Sequence, residues 1–125
     1  MDAAPARLAG IGVDTVELSR FAAVLDGTPR FLERVFAPGE RGLSCRSLAA
    51  RFAAREAAIK AIGGLDGLTL LDFEVVREPS GAPRFARGER LDSVLASRGI
   101  GALHLSLSHD GNQAIAFVVA EWAKS

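Results

Sequence analysis

The stretch Arg51-Phe-Ala-Ala-Arg-Glu-Ala-Ala-Ile-Lys60 combines core-forming alanines with charges at helical spacing. It follows a helix-start signal at Ser47 and precedes the pair Gly63-Gly64, so the pattern predicts one long helix, Ser47–Ile62. At about 100° per residue, Glu56 and Lys60 lie one turn apart on the shoulder of the apolar stripe. In this position Glu56 and Lys60 form either a surface ion pair, worth a few tenths of a kcal/mol, or part of a functional site.

Composition narrows the function classes. The chain has 125 residues, 49% of them hydrophobic, which predicts a single globular domain over residues 1–125. Lys+Arg and Asp+Glu both number 15, so a zero net charge argues against a general nucleic-acid or membrane binder. Cys45 is the only cysteine, which excludes an intramolecular disulfide. With no apolar run of about 20 residues and no secretory signal pattern, we expect a cytoplasmic protein.

The hydrophobic pattern outside the long helix predicts an α+β fold. Helical spacing predicts helices from Leu18 to about Leu25, from Thr28-Pro29 to about Phe36, and around Leu91–Leu95. Alternation and turn signals predict strands at Ala9–Val13, Leu68–Arg77, near Phe85, at Leu103–Leu107 and at Ile115–Ala120, the last two joined as a hairpin by Asp110-Gly-Asn112. The order β-α-α-α-β-β-α-β-β indicates a mostly antiparallel sheet packed with the long helix.

The first chemical motif is Gly10-Ile-Gly-Val-Asp-Thr-Val-Glu17. Asp14 is predicted to close a strand and open a helix, with Glu17 three residues later, which is the spacing of a helix N-cap and its capping-box partner. The alternative is a carboxylate at the end of a strand that is free to bind a hard cation. The motif alone leaves both interpretations open.

The second motif lies on the long helix, where Arg51 and Arg55 accompany Glu56 and Lys60. Carboxylate oxygens suit Mg²⁺, which takes one or two protein carboxylates together with phosphate oxygens and water. Lysine and arginine would donate to phosphate, although a solvated helix face would show the same residues. Residues 30–60 hold seven basic and three acidic side chains, a surplus that favours an anionic ligand.

The third motif is Leu105-Ser-Leu-Ser-His-Asp110, at the junction of a strand and a turn. Taken alone, His109 and Asp110 are ordinary turn residues. The motif is not a nucleophile elbow, because the Gly-x-Ser-x-Gly pattern is absent. His104 is predicted to lie on the outer face of its strand, and we assign it no role.

Together and in this order, the three motifs resemble those of the holo-[acyl-carrier-protein] synthase family of 4′-phosphopantetheinyl transferases. Gly10–Arg20 resembles the family's Gly-Ile-Gly-x-Asp-x-x-Glu-x-x-Arg, and Arg51–Lys60 resembles its Arg-Phe-Ala-Ala-Lys-Glu-Ala-x-x-Lys. Ser106–Asp110 is similar to its Ser-x-Ser-His-Asp, and Phe31–Glu40 to its Phe-x-x-Arg-x-Phe-x-x-x-Glu. The resemblance extends from Gly10 to about Glu121 and implies the fold of that family.

The resemblance implies transfer of the 4′-phosphopantetheine arm of coenzyme A to a serine of an apo acyl carrier protein, with release of adenosine 3′,5′-bisphosphate. It assigns Asp14 and Glu56 to Mg²⁺ and makes Glu56, or a water beside it, the proton acceptor. Lys60 would neutralise phosphate oxygens and assist the leaving group. The remaining roles fall into two groups: coenzyme A binding by His109, Arg55 and Arg51 with support from Ser108 and Asp110, and carrier docking by Arg20, Arg30 and Phe31.

The family is commonly a homotrimer in which the counterpart of His109 completes a site on the neighbouring protomer, and His109 is therefore also counted among the catalytic residues. Two departures bear on this assignment. Arg55 stands where the family usually has lysine, and only seven residues separate Glu40 from Leu48, a region that often supplies basic contacts to coenzyme A. Arg46 lies in the shortened segment and could compensate.

Two alternatives remain open at this stage. A non-catalytic relative would bind coenzyme A or a carrier protein without transfer, as the shortened segment would allow. An unrelated structural domain would use Asp14 only as a cap and Glu56 with Lys60 only as a surface pair.

Overall fold

A computed structural model describes residues 7–124. Over these residues the chain forms five strands, four α-helices and one 3₁₀ turn, in the predicted order. In chain order they are β1 (Leu8–Glu17), α1 (Leu18–Gly27), α2 (Phe31–Val35), α3 (Cys45–Ile62), the 3₁₀ turn (Leu70–Asp72), β2 (Val75–Arg77), β3 (Pro83–Phe85), α4 (Glu89–Ser97), β4 (Ile100–Asp110) and β5 (Gln113–Trp122). The predicted α+β class is confirmed.

The main sheet has three antiparallel strands in the order β1-β5-β4, and β2 and β3 form a separate antiparallel pair. Helix α3 packs on one face of the main sheet. Its buried alanines include Ala53, Ala57 and Ala61, which belong to the same core cluster as Ala116 and Val118 of β5. Small side chains on both surfaces allow the helix to lie close to the sheet.

Two glycines of β1 set the distance between this strand and α3. A Cβ atom at Gly12 would lie 1.9 Å from the carbonyl oxygen of Ala57, and one at Gly10 would lie 2.0 Å from that of Ala61. Two residues of a strand advance about 6.6 Å and four residues of a helix about 6 Å, so the two elements stay in step. Continuing this alignment brings Asp14 beside the turn of α3 that holds Glu56.

The structure corrects two local predictions. Asp14 does not end the strand or cap a helix, because β1 remains paired with β5 as far as Glu17, which itself precedes α1 without a side-chain cap. The predicted strand Leu68–Arg77 is wrong over its first half, where the side chains of Thr69 and Asp72 cap the 3₁₀ turn and only Val75–Arg77 is extended.

Two helix boundaries also differ from the prediction. Thr28 ends α1, and α2 begins at Phe31 rather than at Pro29. Helix α3 begins at Cys45, because the side chain of Ser44 accepts a hydrogen bond from the backbone N–H of Ser47 and acts as the N-cap. Within residues 7–124, no helix has the length and apolarity needed to cross a membrane.

We expect Gly12→Ala to destabilise the fold by about 3 kcal/mol or more, because the new methyl group would overlap the backbone of α3. Gly42→Ala is the matched control, since a Cβ at Gly42 meets no atom within 4 Å. Chemical denaturation of both variants measures the difference. Equal stability of the two variants would contradict the proposed close contact of β1 with α3.

Candidate active site

Asp14 and Lys60 meet where β1 crosses α3. The Lys60 ammonium donates to the backbone carbonyl of Val13 over 3.0 Å and to Oδ1 of Asp14 over 3.3 Å. Glu56 lies one turn before Lys60 on α3, so it shares a helix face with the lysine. The structure therefore brings together Asp14, Glu56 and Lys60, three residues that the sequence analysis placed in one site.

The Glu56 carboxyl lies in an environment that disfavours its charge. Burial, and then the negative charge of Asp14, raises the pKa of Glu56 above its ordinary value, and Lys60 opposes the shift. A second carboxylate close by would serve no purpose in a structural ion pair. Two neighbouring carboxylates are instead the arrangement expected where a cation or a transferable proton is held between two acids.

The donor set fits a magnesium ion that is completed by its substrate. Asp14 and Glu56 offer two carboxylates, and no cluster of three or more metal-ligating side chains occurs among residues 7–124. Mg²⁺ usually keeps several waters and binds through one or two carboxylates plus phosphate oxygens. Two carboxylates with an adjacent lysine therefore suit a metal that arrives with a phosphate group.

A cleft of about 460 Å³ opens from this pair of carboxylates towards α1 and α2. Its polar lining includes Asp14, Glu56 and Arg20, and its apolar lining includes Phe31 and Phe52. The Phe31 and Phe52 ring centroids are 5.7 Å apart, which makes this wall a packed aromatic surface. Of the predicted docking residues, Arg20 and Phe31 thus line the same cleft as the carboxylates.

Arg30 stands at the entrance to α2 in an unfavourable backbone conformation. Its φ is +66°, in the left-handed region that favours glycine. An arginine in this region costs of order 1 kcal/mol, and such strain concentrates at functional positions. The side chain is exposed and forms no helix-capping hydrogen bond, so it is available to a partner.

Arg55 occupies a structural position within the chain, and its predicted binding of coenzyme A phosphates stays a prediction. It is completely buried, and its guanidinium donates to both carboxylate oxygens of Glu40, over 3.1 and 2.6 Å. Its Nε donates to the carbonyl of Leu70 over 2.8 Å, and its Cζ lies 4.8 Å from the centroid of the Phe36 ring. Arginine suits this position because its planar fork satisfies several acceptors at once.

Glu40 has a structural role that the sequence motifs did not assign to it. Besides Arg55, it accepts hydrogen bonds from the backbone N–H groups of Ala37 and Val75, over 2.9 and 3.1 Å. One buried carboxylate thus joins the segment before α3, α3 itself and β2. The sequence signal that could have pointed to Glu40 is the excess of basic residues between positions 30 and 60. An acidic residue in such a segment is expected to pair with one of the arginines.

Arg51 is also largely buried but is less fully bonded. It is 6% exposed, and its Nε lies 3.7 Å from Glu40, beyond hydrogen-bonding distance. Within the described part of the chain, this buried Nε has no hydrogen-bond partner. Its predicted role in coenzyme A binding stays a prediction.

His109 lies at the other end of α3 from the carboxylates. Its Nε2 is 3.2 Å from the carbonyl oxygen of Arg46, near the helix start, and Ser108 and Asp110 flank it at exposed positions. Ten residues of helix separate Arg46 from Glu56, about 15 Å of axial rise. One chain therefore does not bring His109 to the Asp14–Glu56 pair.

Known proteins share the sequence pattern and the fold of this chain. Residues 10–118 match the model of the 4′-phosphopantetheinyl transferase superfamily. A holo-[acyl-carrier-protein] synthase of Clavibacter sepedonicus is 54% identical over 112 residues, which cover 90% of this chain and 94% of that protein. The crystal structure of the Neisseria meningitidis holo-[acyl-carrier-protein] synthase aligns with a TM-score of 0.83 at 32% identity, covering 91% of this chain and 98% of that one.

A Helicobacter pylori holo-[acyl-carrier-protein] synthase, whose structure was solved in complex with coenzyme A, aligns with a TM-score of 0.76 at 34% identity, covering 88% of this chain and 98% of that one. The fold and the superfamily match define the class as a 4′-phosphopantetheinyl transferase. Within that class, the chain belongs to the holo-[acyl-carrier-protein] synthase family.

The raised pKa of Glu56 predicts how the stability of Glu56→Gln depends on pH. Because the pKa of Glu56 is higher in the folded than in the unfolded state, stability falls as the pH rises from the unfolded pKa to the folded pKa, and the full cost is present above the folded pKa. Glutamine removes that cost, so the variant should be as stable as the wild type or more stable near pH 7, with the gain vanishing below the unfolded pKa of about 4.3. Urea denaturation from pH 4 to pH 8 measures this difference, and a loss of stability confined to neutral pH would contradict the assignment.

Proposed function

We propose that this protein transfers 4′-phosphopantetheine from coenzyme A to a serine of an apo acyl carrier protein in a Mg²⁺-dependent reaction that releases adenosine 3′,5′-bisphosphate. The observation that carries the proposal is the convergence of Asp14 and Glu56 beside Lys60, where both carboxylates line a cleft. Paired carboxylates and a lysine are the groups that phosphoryl transfer from a diphosphate requires.

The chain's own residues then have distinct tasks. The serine hydroxyl attacks the phosphorus that bears the pantetheine arm, and the bond from that phosphorus to the oxygen of the adenosine-side phosphate breaks. Glu56 accepts the serine proton, a role that suits a carboxyl whose pKa is raised above its ordinary value. Lys60 lies beside the departing phosphate and neutralises its negative charge. When bound by Asp14 and Glu56, Mg²⁺ would supply further charge neutralisation at the diphosphate.

The carrier protein would dock over α1 and the start of α2. Arg20 and Phe31 line the cleft that ends at the carboxylates, and Arg30 lies next to Phe31 in the chain. A basic rim around an aromatic wall suits an acidic partner that also carries apolar side chains. This surface would deliver the acceptor serine to Glu56.

We further propose that the active form is a homotrimer whose sites lie between protomers. The face of the main sheet opposite α3 exposes apolar side chains, with Ile11 55%, Val13 50% and Phe117 44% exposed. Val13 pairs with Phe117 in the register, so these side chains form one patch. Such an exposed apolar patch favours self-association. His109 and Glu56 are far apart within one chain, but a histidine from one protomer could lie close to the glutamate of its neighbour.

Intact-mass spectrometry of an apo carrier incubated with coenzyme A and Mg²⁺ tests the transfer. We expect the carrier to gain one phosphopantetheine, EDTA to prevent the gain, and Glu56→Gln to lower the rate by about 100-fold or more. Glu89→Gln on α4 is the matched control and should react at the wild-type rate. A carrier mass that stays unchanged with the wild-type protein, or full activity of Glu56→Gln, would contradict the proposed function.

Replacement of Arg30 by glycine tests the role of this side chain in carrier docking without destabilising the fold. Glycine adopts the left-handed conformation freely, so Arg30→Gly should not lower the free energy of unfolding. Loss of the side chain should raise KM for the carrier by about 5-fold to 10-fold, roughly 1 kcal/mol, and leave KM for coenzyme A unchanged. Arg84→Gln, which removes a charge on β3, is the control. If both KM values rise equally, Arg30 does not act in docking.

Subunit exchange tests the shared site. Light scattering should give about three times the chain mass of 13.1 kDa. Mixed trimers of two inactive variants, His109→Ala and Glu56→Gln, should recover part of the activity, because some interfaces pair an intact histidine with an intact glutamate. A fully active protein with the mass of a single chain would exclude this arrangement.

A further inference from the structure

Helix α1 begins without a cap from its own N-cap residue. Among the described residues, the side chain of Glu17 makes no capping hydrogen bond to the helix backbone. The first turn also carries Arg20, and a positive charge is unfavourable at the N-terminal end of the helix dipole. Because the first N–H groups of a helix have no intrahelical partners, the start of α1 needs acceptors from elsewhere in the chain.

Asn112, in the turn between β4 and β5, supplies these acceptors. Its backbone carbonyl accepts from the N–H of Leu18 over 2.8 Å, and its side-chain Oδ1 accepts from the N–H of Ser19 over 3.3 Å. Its Nδ2 donates to the hydroxyl of Ser19 over 3.0 Å, and that hydroxyl donates to Glu17 over 2.9 Å. A residue 93 positions after Ser19 thus caps α1.

The contact between Asn112 and α1 lies at the edge of the cleft that holds the two carboxylates. Arg20 follows the capped residue Ser19 and lines the cleft, and Gln113 follows Asn112 and lines the same cleft. Glu17 pairs with Gln113 in the register of β1 and β5, which fixes this end of the sheet. The cap therefore joins two segments that each contribute to the cleft lining.

The position of Arg20 depends on this cap more than on side-chain packing. The next residue, Phe21, anchors α1 in the core: it is 3% exposed, and its ring centroid lies 6.0 Å from that of Phe31 and 5.7 Å from that of Phe52. Arg20 is itself exposed and lies in the first turn. Its backbone is therefore held by the helical hydrogen bonds, which end at Asn112.

We infer that Asn112 is a positioning residue for carrier docking: by capping α1, it holds Arg20 at the edge of the cleft, where the acidic carrier would dock. This inference rests on the proposed function and gives a task to a residue outside the three sequence motifs. Asn112 acts through Arg20 and not through contact with coenzyme A. Its loss should therefore weaken docking of the carrier and leave donor binding intact.

Hydrogen exchange tests the cap itself. Asn112→Ala removes the side-chain acceptor of the Ser19 N–H, and we expect exchange of this amide to become about 5-fold faster, the effect of losing one helix cap. Asn112→Asp keeps an acceptor that caps about as well, and it should restore the wild-type exchange rate. Unchanged exchange in Asn112→Ala would overturn the inference.

Binding of a fluorescently labelled apo carrier, followed by anisotropy, tests docking. Asn112→Ala should raise Kd for the carrier by about 3-fold to 5-fold and leave Kd for coenzyme A unchanged. In an Arg20→Gln background, the same substitution should raise Kd for the carrier by less than about 1.5-fold, because its effect passes through Arg20. A full further loss in that background, or an equal loss of both affinities, would overturn the inference.

Thr69→Ala is the matched control, because it also removes a side-chain cap, that of the 3₁₀ turn, and among the described residues Thr69 is not part of the cleft lining. It should lower the midpoint of urea denaturation, as Asn112→Ala should, and yet bind the carrier with wild-type affinity. Equally weakened carrier binding in Thr69→Ala would show that lost stability alone weakens docking, and the role of Asn112 would be wrong.

These measurements follow binding, so their failure differs from failure of the proposed function. If the variants behave as expected but the wild type transfers no phosphopantetheine, the proposed function fails and the role of Asn112 stands. If transfer occurs but Asn112→Ala binds the carrier like the wild type, the role of Asn112 is wrong and the proposed function stands. A wild type that neither binds nor modifies a carrier overturns both.

Discussion

The direct contact of the β1 backbone with the α3 backbone is the constraint on which the site depends. Gly10 and Gly12 leave no room for a side chain above Ala61 and Ala57, so the strand and the helix are held in a fixed alignment. The next step of that alignment places Asp14 beside Glu56 and lets Lys60 bond to both the carbonyl of Val13 and the carboxylate of Asp14. A looser packing with larger side chains would separate the two carboxylates, and neither element could hold a cation alone.

Arg51 and Arg55 of α3 are both buried but differ in how completely they are hydrogen-bonded. Arg55 and Glu40 form a buried, fully hydrogen-bonded pair that fixes the segment before α3 and the start of β2. Because that pair is complete, the buried Nε of Arg51 is left without a hydrogen-bond partner among the described residues. At position 55 the planar guanidinium reaches both oxygens of Glu40 with its two terminal nitrogens and the Leu70 carbonyl with Nε, a spread of donors that the compact ammonium of lysine does not provide.

The element order and the α+β class could be predicted because hydrophobic periodicity is local, and the helix around Glu56 is marked by its own alanines and by Gly63. Asp14 was open to misinterpretation because a carboxylate three residues before a glutamate is also a capping pattern, and only the pairing of β1 with β5 excludes it. The predicted strand Leu68–Arg77 was wrong over its first half because the capping of the 3₁₀ turn by Thr69 and Asp72 overrides the strand-like composition. The burial of Arg55 could not be foreseen, since its partner Glu40 is 15 residues away and the pairing exists only in three dimensions.

The central claim is that Asp14 and Glu56 form one cation site created by the β1–α3 contact. Binding of Mn²⁺ in the presence of coenzyme A, followed by electron paramagnetic resonance, tests it directly, with Asp14→Asn, Glu56→Gln and the control Asp26→Asn measured beside the wild type. We expect each of the first two variants to weaken Mn²⁺ binding by about 10-fold or more, roughly 1.4 kcal/mol, while the control binds normally. Wild-type affinity in either Asp14→Asn or Glu56→Gln would contradict it.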